Sequence, residues 1–223
     1  MVLINYDIIK FMNLKIYPKM NKDNTALLVI DIVNSCAHEE CETPEWDITF
    51  SKIRKMILNL NNFIGDFRKK VGGEVIFVNI TPWNKENLRD NINELYTDSN
   101  VTYYSDDDSG FDEKFHTVKP EENDLIITKN TYDAFSQTEL EEKLKEKGIQ
   151  YLVIAGIFTE GCVLSTIAVG FSKGFNFVML RDLIETADSE ERQRLSEDIK
   201  NRIFPFQYGK TITSEEFLND WEK

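Results

Sequence analysis

Three residues far apart in the chain carry reactive groups whose placement matters: Asp31, Lys129 and Cys162. Cys162 lies in G-I-F-T-E-G-C-V at 156–163, between an apolar run, Y-L-V-I-A, and a helical pattern, V-L-S-T-I-A-V-G-F. A cysteine attacks as its thiolate, and a free thiol of pKa about 8.5 is only a few per cent ionised at pH 7. The N-terminal N–H groups and positive dipole end of a following helix would favour the thiolate. Lys129 would add a fixed cation. Asp31 is placed to take the thiol proton and later protonate a leaving group or activate water. Backbone N–H groups of Phe158 and Cys162 are the natural donors for a developing oxyanion. Taken singly, each residue has a plainer reading: a small core hydrophobe, a loop organiser, a solvated lysine. Taken together, each near the end of a strand pattern, they favour catalysis.

The elements that must position them alternate. An apolar run at 26–31, A-L-L-V-I-D, reads as a strand buried on both faces and ends in Asp31. Apolar residues recur at helical spacing from Ile53 to Phe67, and Gly72-Gly73 stops that helix. Further strands are expected at 74–80, 124–129, 151–156 and 175–180, with helices at about 137–147, 160–173 and 188–202 and a last one from Ser214. Asp188 reads as the N-cap of the 188–202 helix, with Glu191 completing a capping box. Residues 81–123 read as a long polar loop with helical pieces and an acidic tip, S-D-D-D-S-G, at 105–110. Strands alternating with helices imply βαβ units: a three-layer α/β/α, Rossmann-like fold with a mostly parallel sheet. Ligands of such sheets gather at the carboxyl ends of the strands, where the three residues would converge.

Composition limits the function classes. Lys and Arg number 26 against 39 Asp and Glu, a formal charge of −13, which argues against nucleic acid and against an anionic membrane surface. No apolar run approaches the roughly 18–20 residues of a membrane span, and Asp7, Lys10 and Lys15 interrupt the N-terminus, which does not read as a signal peptide. Three cysteines, Cys36, Cys41 and Cys162, are an odd number and too few for a disulfide framework, so a reducing, cytoplasmic setting is expected. The chain divides into an N-terminal arm, 1–24, and one domain, 25–223.

With these pieces in order, the chain resembles the isochorismatase-like cysteine hydrolases, a family that includes nicotinamidases, N-carbamoylsarcosine amidases and ureidoacrylate or biuret amidohydrolases. The resemblance rests on A-L-L-V-I-D-I-V-N at 26–34, P-E-E-N-D-L-I-I-T-K-N-T-Y-D-A-F-S-Q-T-E-L at 120–140, G-I-F-T-E-G-C-V at 156–163 and I-T-S-E-E-F-L at 212–218. It implies a six-stranded sheet, an Asp-Lys-Cys triad falling on Asp31, Lys129 and Cys162, and a cis peptide between Ile157 and Phe158 that aims the Phe158 N–H at the oxyanion. It implies attack on an amide or ureido carbonyl, release of amine or ammonia, and hydrolysis of a thioester. No cofactor or metal is called for. The partners implied are a small-molecule substrate and further copies of the chain, as a dimer or tetramer.

Departures from the family pattern bear on the substrate. The Asp-x-His pair that holds a metal in nicotinamidases is missing, and the chain has only His38 and His116. Retention of Cys162 tilts away from vinyl-ether cleavage, which depends on the acid rather than on a nucleophile; that reaction and a silent binding or scaffold protein are the alternatives. Where many members have Phe, this chain has Cys36. C-A-H-E-E-C at 36–41 has no common zinc spacing and reads as loop. Asn34, Cys36, Trp83, Tyr132 and Phe135 are candidate pocket residues, the last two also as supports for Lys129.

Overall fold

A computed structural model describes residues 16–96, 104–105 and 107–221. The arm expected at 1–24 falls outside the described residues as far as residue 15. Its remainder lies on the domain, with Ile16, Tyr17 and Met20 packed against the core and the Tyr17 ring 5.4 Å from that of Tyr151.

Six parallel strands form one sheet: β1 (Thr25–Ile30), β2 (Glu74–Ile80), β3 (Leu125–Lys129), β4 (Tyr151–Ile157), β5 (Asn176–Glu185) and β6 (Gly209–Ile212). Their spatial order is β3-β2-β1-β4-β5-β6. The helices are α1 (Ser51–Asp66), α2 (Asp90–Leu95), α3 (Leu140–Glu146), α4 (Leu164–Ser172), α5 (Glu190–Asp198) and α6 (Ser214–Trp221). Alternation along β1 explains the three layers. Leu27 and Val29 join the core beneath α1 and α6, with Ile53, Leu60, Phe63 and Phe217. Ala26, Leu28 and Ile30 join the opposite core, with Leu140, Leu144 and Ile167 from α3 and α4. A strand buried on both faces has no polar side to show, which is why 26–30 reads as an unbroken apolar run.

Strand order reverses between β1 and β4, the one place where neighbouring connections leave in opposite directions and open a crevice at the carboxyl edge. Close approach is enforced there. A Cβ on Gly156 would fall 2.3 Å from the Ile30 carbonyl oxygen, so only glycine lets the two strands meet at this register, Ile30 beside Gly156.

Two expectations need correction. Asp188 does not cap its own helix: Ser189 is the N-cap of α5, accepting from the Arg192 N–H. The Asp188 carboxylate reaches across to the start of α1 instead, accepting from the Ser51 and Lys52 N–H groups at 2.7 and 2.9 Å and from the Thr49 hydroxyl at 3.0 Å. A carboxylate belongs where four helix N–H groups lack partners, and a sequence cannot show that this helix start is a distant one. The strand expected at 175–180 runs on to Glu185 through a register shift against β4 between Ile154 and Gly156. Among the described residues no helix is long and apolar enough to cross a membrane.

Candidate active site

Asp31 follows directly on β1 and adopts left-handed backbone, φ 54°, a region short polar side chains tolerate better than branched ones. Its N–H donates to the Val78 carbonyl at 3.1 Å and its carbonyl accepts from Val33 at 2.8 Å, so the turn is tied to β2 and closed on itself. Lys129 ends β3 in register with Ile80. Cys162 lies in the turn Thr159–Val163 between β4 and α4. Three strand ends therefore deliver three side chains to one edge.

There they touch. The Lys129 ammonium lies 2.8 Å from Asp31 Oδ2, with both side chains buried, and donates to the Cys162 sulfur at 3.3 Å and the Thr131 carbonyl at 3.0 Å. The Asp31 contact is a charge pair, and the carboxylate also lies within hydrogen-bonding reach of the Cys162 thiol. Burial by itself would lower the Lys129 ammonium; the Asp31 charge beside it outweighs that and holds the group above the ordinary lysine range.

The sulfur behaves differently from the expectation of a resting thiolate. Burial, and after it the Asp31 charge, push the Cys162 thiol well above its ordinary value, and Lys129 only partly offsets them. Cys162 as a whole is half-buried, but its sulfur faces the enclosed ammonium. The three side chains form a coupled set in which the Cys162 thiol holds its proton beside the Lys129 ammonium. The turn carrying Cys162 is not a regular helix start: Gly161, at φ −105° and ψ −107°, breaks it. The peptide joining Ile157 to Phe158 is cis.

The other candidates separate. Cys36 stands beside the site: burial, then the Asp31 charge, push its thiol up to about 12. Asn34 is buried and fastens loops, its amide donating to the Phe111 carbonyl at 3.0 Å and its side-chain oxygen 3.0 Å from His116 Nδ1. Trp83 and Tyr132 are half-buried with ring centroids 6.1 Å apart. Phe135 is buried and stacks on Phe175 at 5.5 Å in the core beside α4, the cluster against which Cys162 also packs. A Cβ on Gly170 would fall 2.5 Å from its ring, so α4 packs on it directly. An aromatic six residues past Lys129 was readable as a support or a wall, and core packing claims it.

Tyr96 went unread in the sequence. Its hydroxyl meets that of Tyr132 at 2.7 Å. Burial, then that bond, raise it above the ordinary tyrosine range, with the Cys162 sulfur near enough to add to the shift. Its only signal was being aromatic in a polar loop. Of the 36–41 segment, His38 accepts from the Glu40 N–H at 3.1 Å and caps a short turn, while Cys41 reaches Asp112 Oδ1 at 3.6 Å; all three cysteines are free thiols.

Comparison with known proteins agrees with this architecture. Similar curated proteins include the uncharacterised isochorismatase family protein YwoC of Bacillus subtilis, 34% identical over 98 residues, or 44% of this chain and 49% of YwoC. The ureidoacrylate amidohydrolase RutB of Yersinia enterocolitica is 35% identical over 77 residues, or 34% of each chain. These matches span about half or less of the relatives' own lengths. The solved structure of a cysteine hydrolase from Pseudomonas syringae pv. phaseolicola has the same fold, with a TM-score of 0.74 at 18% identity over 93% of this chain and 96% of that one. The family model of the isochorismatase domain matches residues 25–216, and the chain belongs to that family.

Proposed function

We propose that this isochorismatase-family protein hydrolyses a C–N bond of a small amide or ureido compound, with Cys162 as nucleophile, Asp31 as general base and acid, and Lys129 holding both. The observation that carries the reading is one buried ammonium within 2.8 Å of a carboxylate and 3.3 Å of a thiol. The similarity to a ureidoacrylate amidohydrolase supports the choice of bond.

In the proposed cycle the Cys162 sulfur attacks the substrate carbonyl as Asp31 takes the thiol proton. Proton and attack move together, because burial makes a free thiolate costly before the electrophile arrives. The carbonyl oxygen becomes an oxyanion that the Phe158 and Cys162 N–H groups meet. The tetrahedral intermediate collapses, the C–N bond breaks, and protonated Asp31 gives its proton to the departing nitrogen. Water then adds to the thioester, Asp31 receives a proton from it, and collapse releases the acid and restores the thiol. Lys129 stays charged throughout and keeps Asp31 and the sulfur aligned.

The test is ammonia or amine release across a panel of primary amides and ureido compounds, with Cys162→Ala beside the wild type. Turnover of at least one compound by the wild type, falling by about a thousandfold or more in Cys162→Ala, is expected. Equal turnover by both proteins would overturn the nucleophile assignment.

A further inference from the structure

The turn bearing Cys162 is held from outside the three proposed catalytic residues. Gly161 interrupts its helical backbone, so side chains must supply part of the hold that regular helical hydrogen bonding supplies elsewhere. Three consecutive residues are gripped at this point, chiefly by α5. The Arg192 guanidinium lies over the Phe158 ring, 5.1 Å from its centroid, and Phe50 closes the other contact at 6.0 Å. The Thr159 hydroxyl is 2.7 Å from that of Ser196, both residues buried. Glu160 Oε1 receives Arg192 Nε at 2.9 Å and the Thr186 hydroxyl at 2.7 Å. Arg192 thus touches the residues on both sides of Thr159. The helix that carries it is itself fixed: Ser189 caps it, and Gln193 bonds Glu185 and the Thr186 and Ala187 carbonyls while accepting from Lys52.

We propose that Arg192 is a positioning residue of the hydrolysis, clamping Phe158 and Glu160 so that the Phe158 and Cys162 N–H groups stay aimed at the oxyanion. The inference rests on the function proposed above and adds to it a residue on a different helix. An arginine suits the task because its planar cation stacks on a ring face while its edge pairs with a carboxylate, which a lysine cannot do at once. Ser196 holds Thr159 between the two gripped residues. Loss of the clamp frees the turn without touching the thiol, the base or the ammonium.

Four variants test it: Arg192→Ala, Arg192→Lys, Glu160→Gln and, as a control on the exposed face of the same helix, Arg194→Ala. Kinetics are measured on a compound that the wild type hydrolyses, and hydrogen–deuterium exchange is followed by mass spectrometry in peptides covering 157–163. Arg192→Ala is expected to lower kcat by about 10- to 100-fold, as misplacement near 1 Å does, with KM within about twofold. Exchange should quicken in 157–163 and not in β1 or β3. Arg192→Lys should recover part of both effects, Glu160→Gln should show a smaller version, and Arg194→Ala should match the wild type. Unchanged kcat and exchange in Arg192→Ala would overturn the proposal, as would a loss lying in KM or exchange that quickens throughout the domain. If Arg192→Ala does not fold, Arg192→Lys and Glu160→Gln decide by the same two readouts. A wild type that hydrolyses nothing defeats the hydrolase reading, and the exchange pattern then decides whether the clamp exists.

Discussion

Two neighbouring regions of the molecule are built on opposite terms. The corner formed by Asp31, Lys129 and Cys162 joins a buried ion pair to a half-buried thiol, all beyond or at the carboxyl ends of sheet strands. The wall formed by Trp83, Tyr96 and Tyr132 is neutral and half-buried, and it stands on loops and a short helix end. Buried charges stay paired only if their separation is fixed within tenths of an ångström, and a parallel ladder with one register provides that. Aromatic rings and hydroxyls keep their contacts over a wider range of geometry, so loops suffice for them. The comparison teaches that the ion pair is placed by strand register, whereas the aromatic wall is placed by side-chain bonds between loops.

The largest break in that contrast should come from Lys129→Met. It leaves the Asp31 carboxylate buried without its cation, and loss of one partner of such a pair costs about 3–5 kcal/mol. Urea unfolding should show that loss at pH 7, along with the disappearance of any hydrolysis. A cost below about 1 kcal/mol would mean that Asp31 is neutral in the folded chain and that the corner is not the ionic device described.

Asp31→Asn should separate two properties that a resting thiolate would tie together. Hydrolysis should fall at least about 100-fold, because the group that accepts the thiol proton is gone. Alkylation of Cys162 by iodoacetamide at pH 7 should become faster, because the Asp31 charge that raises the thiol is removed while Lys129 remains. Slower alkylation would show that Asp31 promotes ionisation at rest. In the wild type, alkylation should climb steadily with pH through the alkaline range. The linked effect on stability has a definite sign. A thiol held above its unfolded value keeps a proton in the folded chain that the unfolded chain gives up. Its stabilising contribution is therefore full below about pH 8.5 and is lost as pH rises through the folded value.

The same contrast explains what the sequence disclosed. Asp31 was legible because a parallel strand buried on both faces is an unbroken apolar run, and a reactive residue at its end stands out; Lys129, on the half-exposed edge strand β3, and Cys162, five residues past β4, were legible through the motifs around them. Strand β6, only Gly209–Ile212 with three of its four residues half-buried, has no such run and follows from the family resemblance rather than from its own residues. The clamp and the cap were hidden for a common reason. Arg192 meets Phe158, and Asp188 meets Ser51, across more than thirty residues, so their partners are a property of packing. Phe135 shows the converse: its type and its nearness to Lys129 invited a place in the pocket, and the absence of a side chain at Gly170 drew it into the core instead. Tyr96 closes a hydroxyl pair with a residue 36 positions away, which no local pattern announces.

The smallest effect, and the sharpest test of the wall's independence, is expected from Tyr96→Phe. The substitution keeps the ring, which packs 5.9 Å from Tyr104, and removes the hydroxyl that meets Tyr132 and bonds with Trp83. Neutral, half-buried hydrogen bonds are worth about 1 kcal/mol each, so the urea midpoint should move modestly. If the wall recognises substrate, KM should change by about three- to tenfold, the change should differ from one accepted compound to another, and kcat should hold within about twofold. Alkylation of Cys162 should be nearly unaltered, since Asp31 and Lys129 dominate the charge around the sulfur. A fall in kcat equal for every compound would place Tyr96 with the corner instead. The Tyr96–Tyr132 pair would then be part of the machinery that loops were able to position after all, and the division between sheet-borne chemistry and loop-borne selection would fail in this chain.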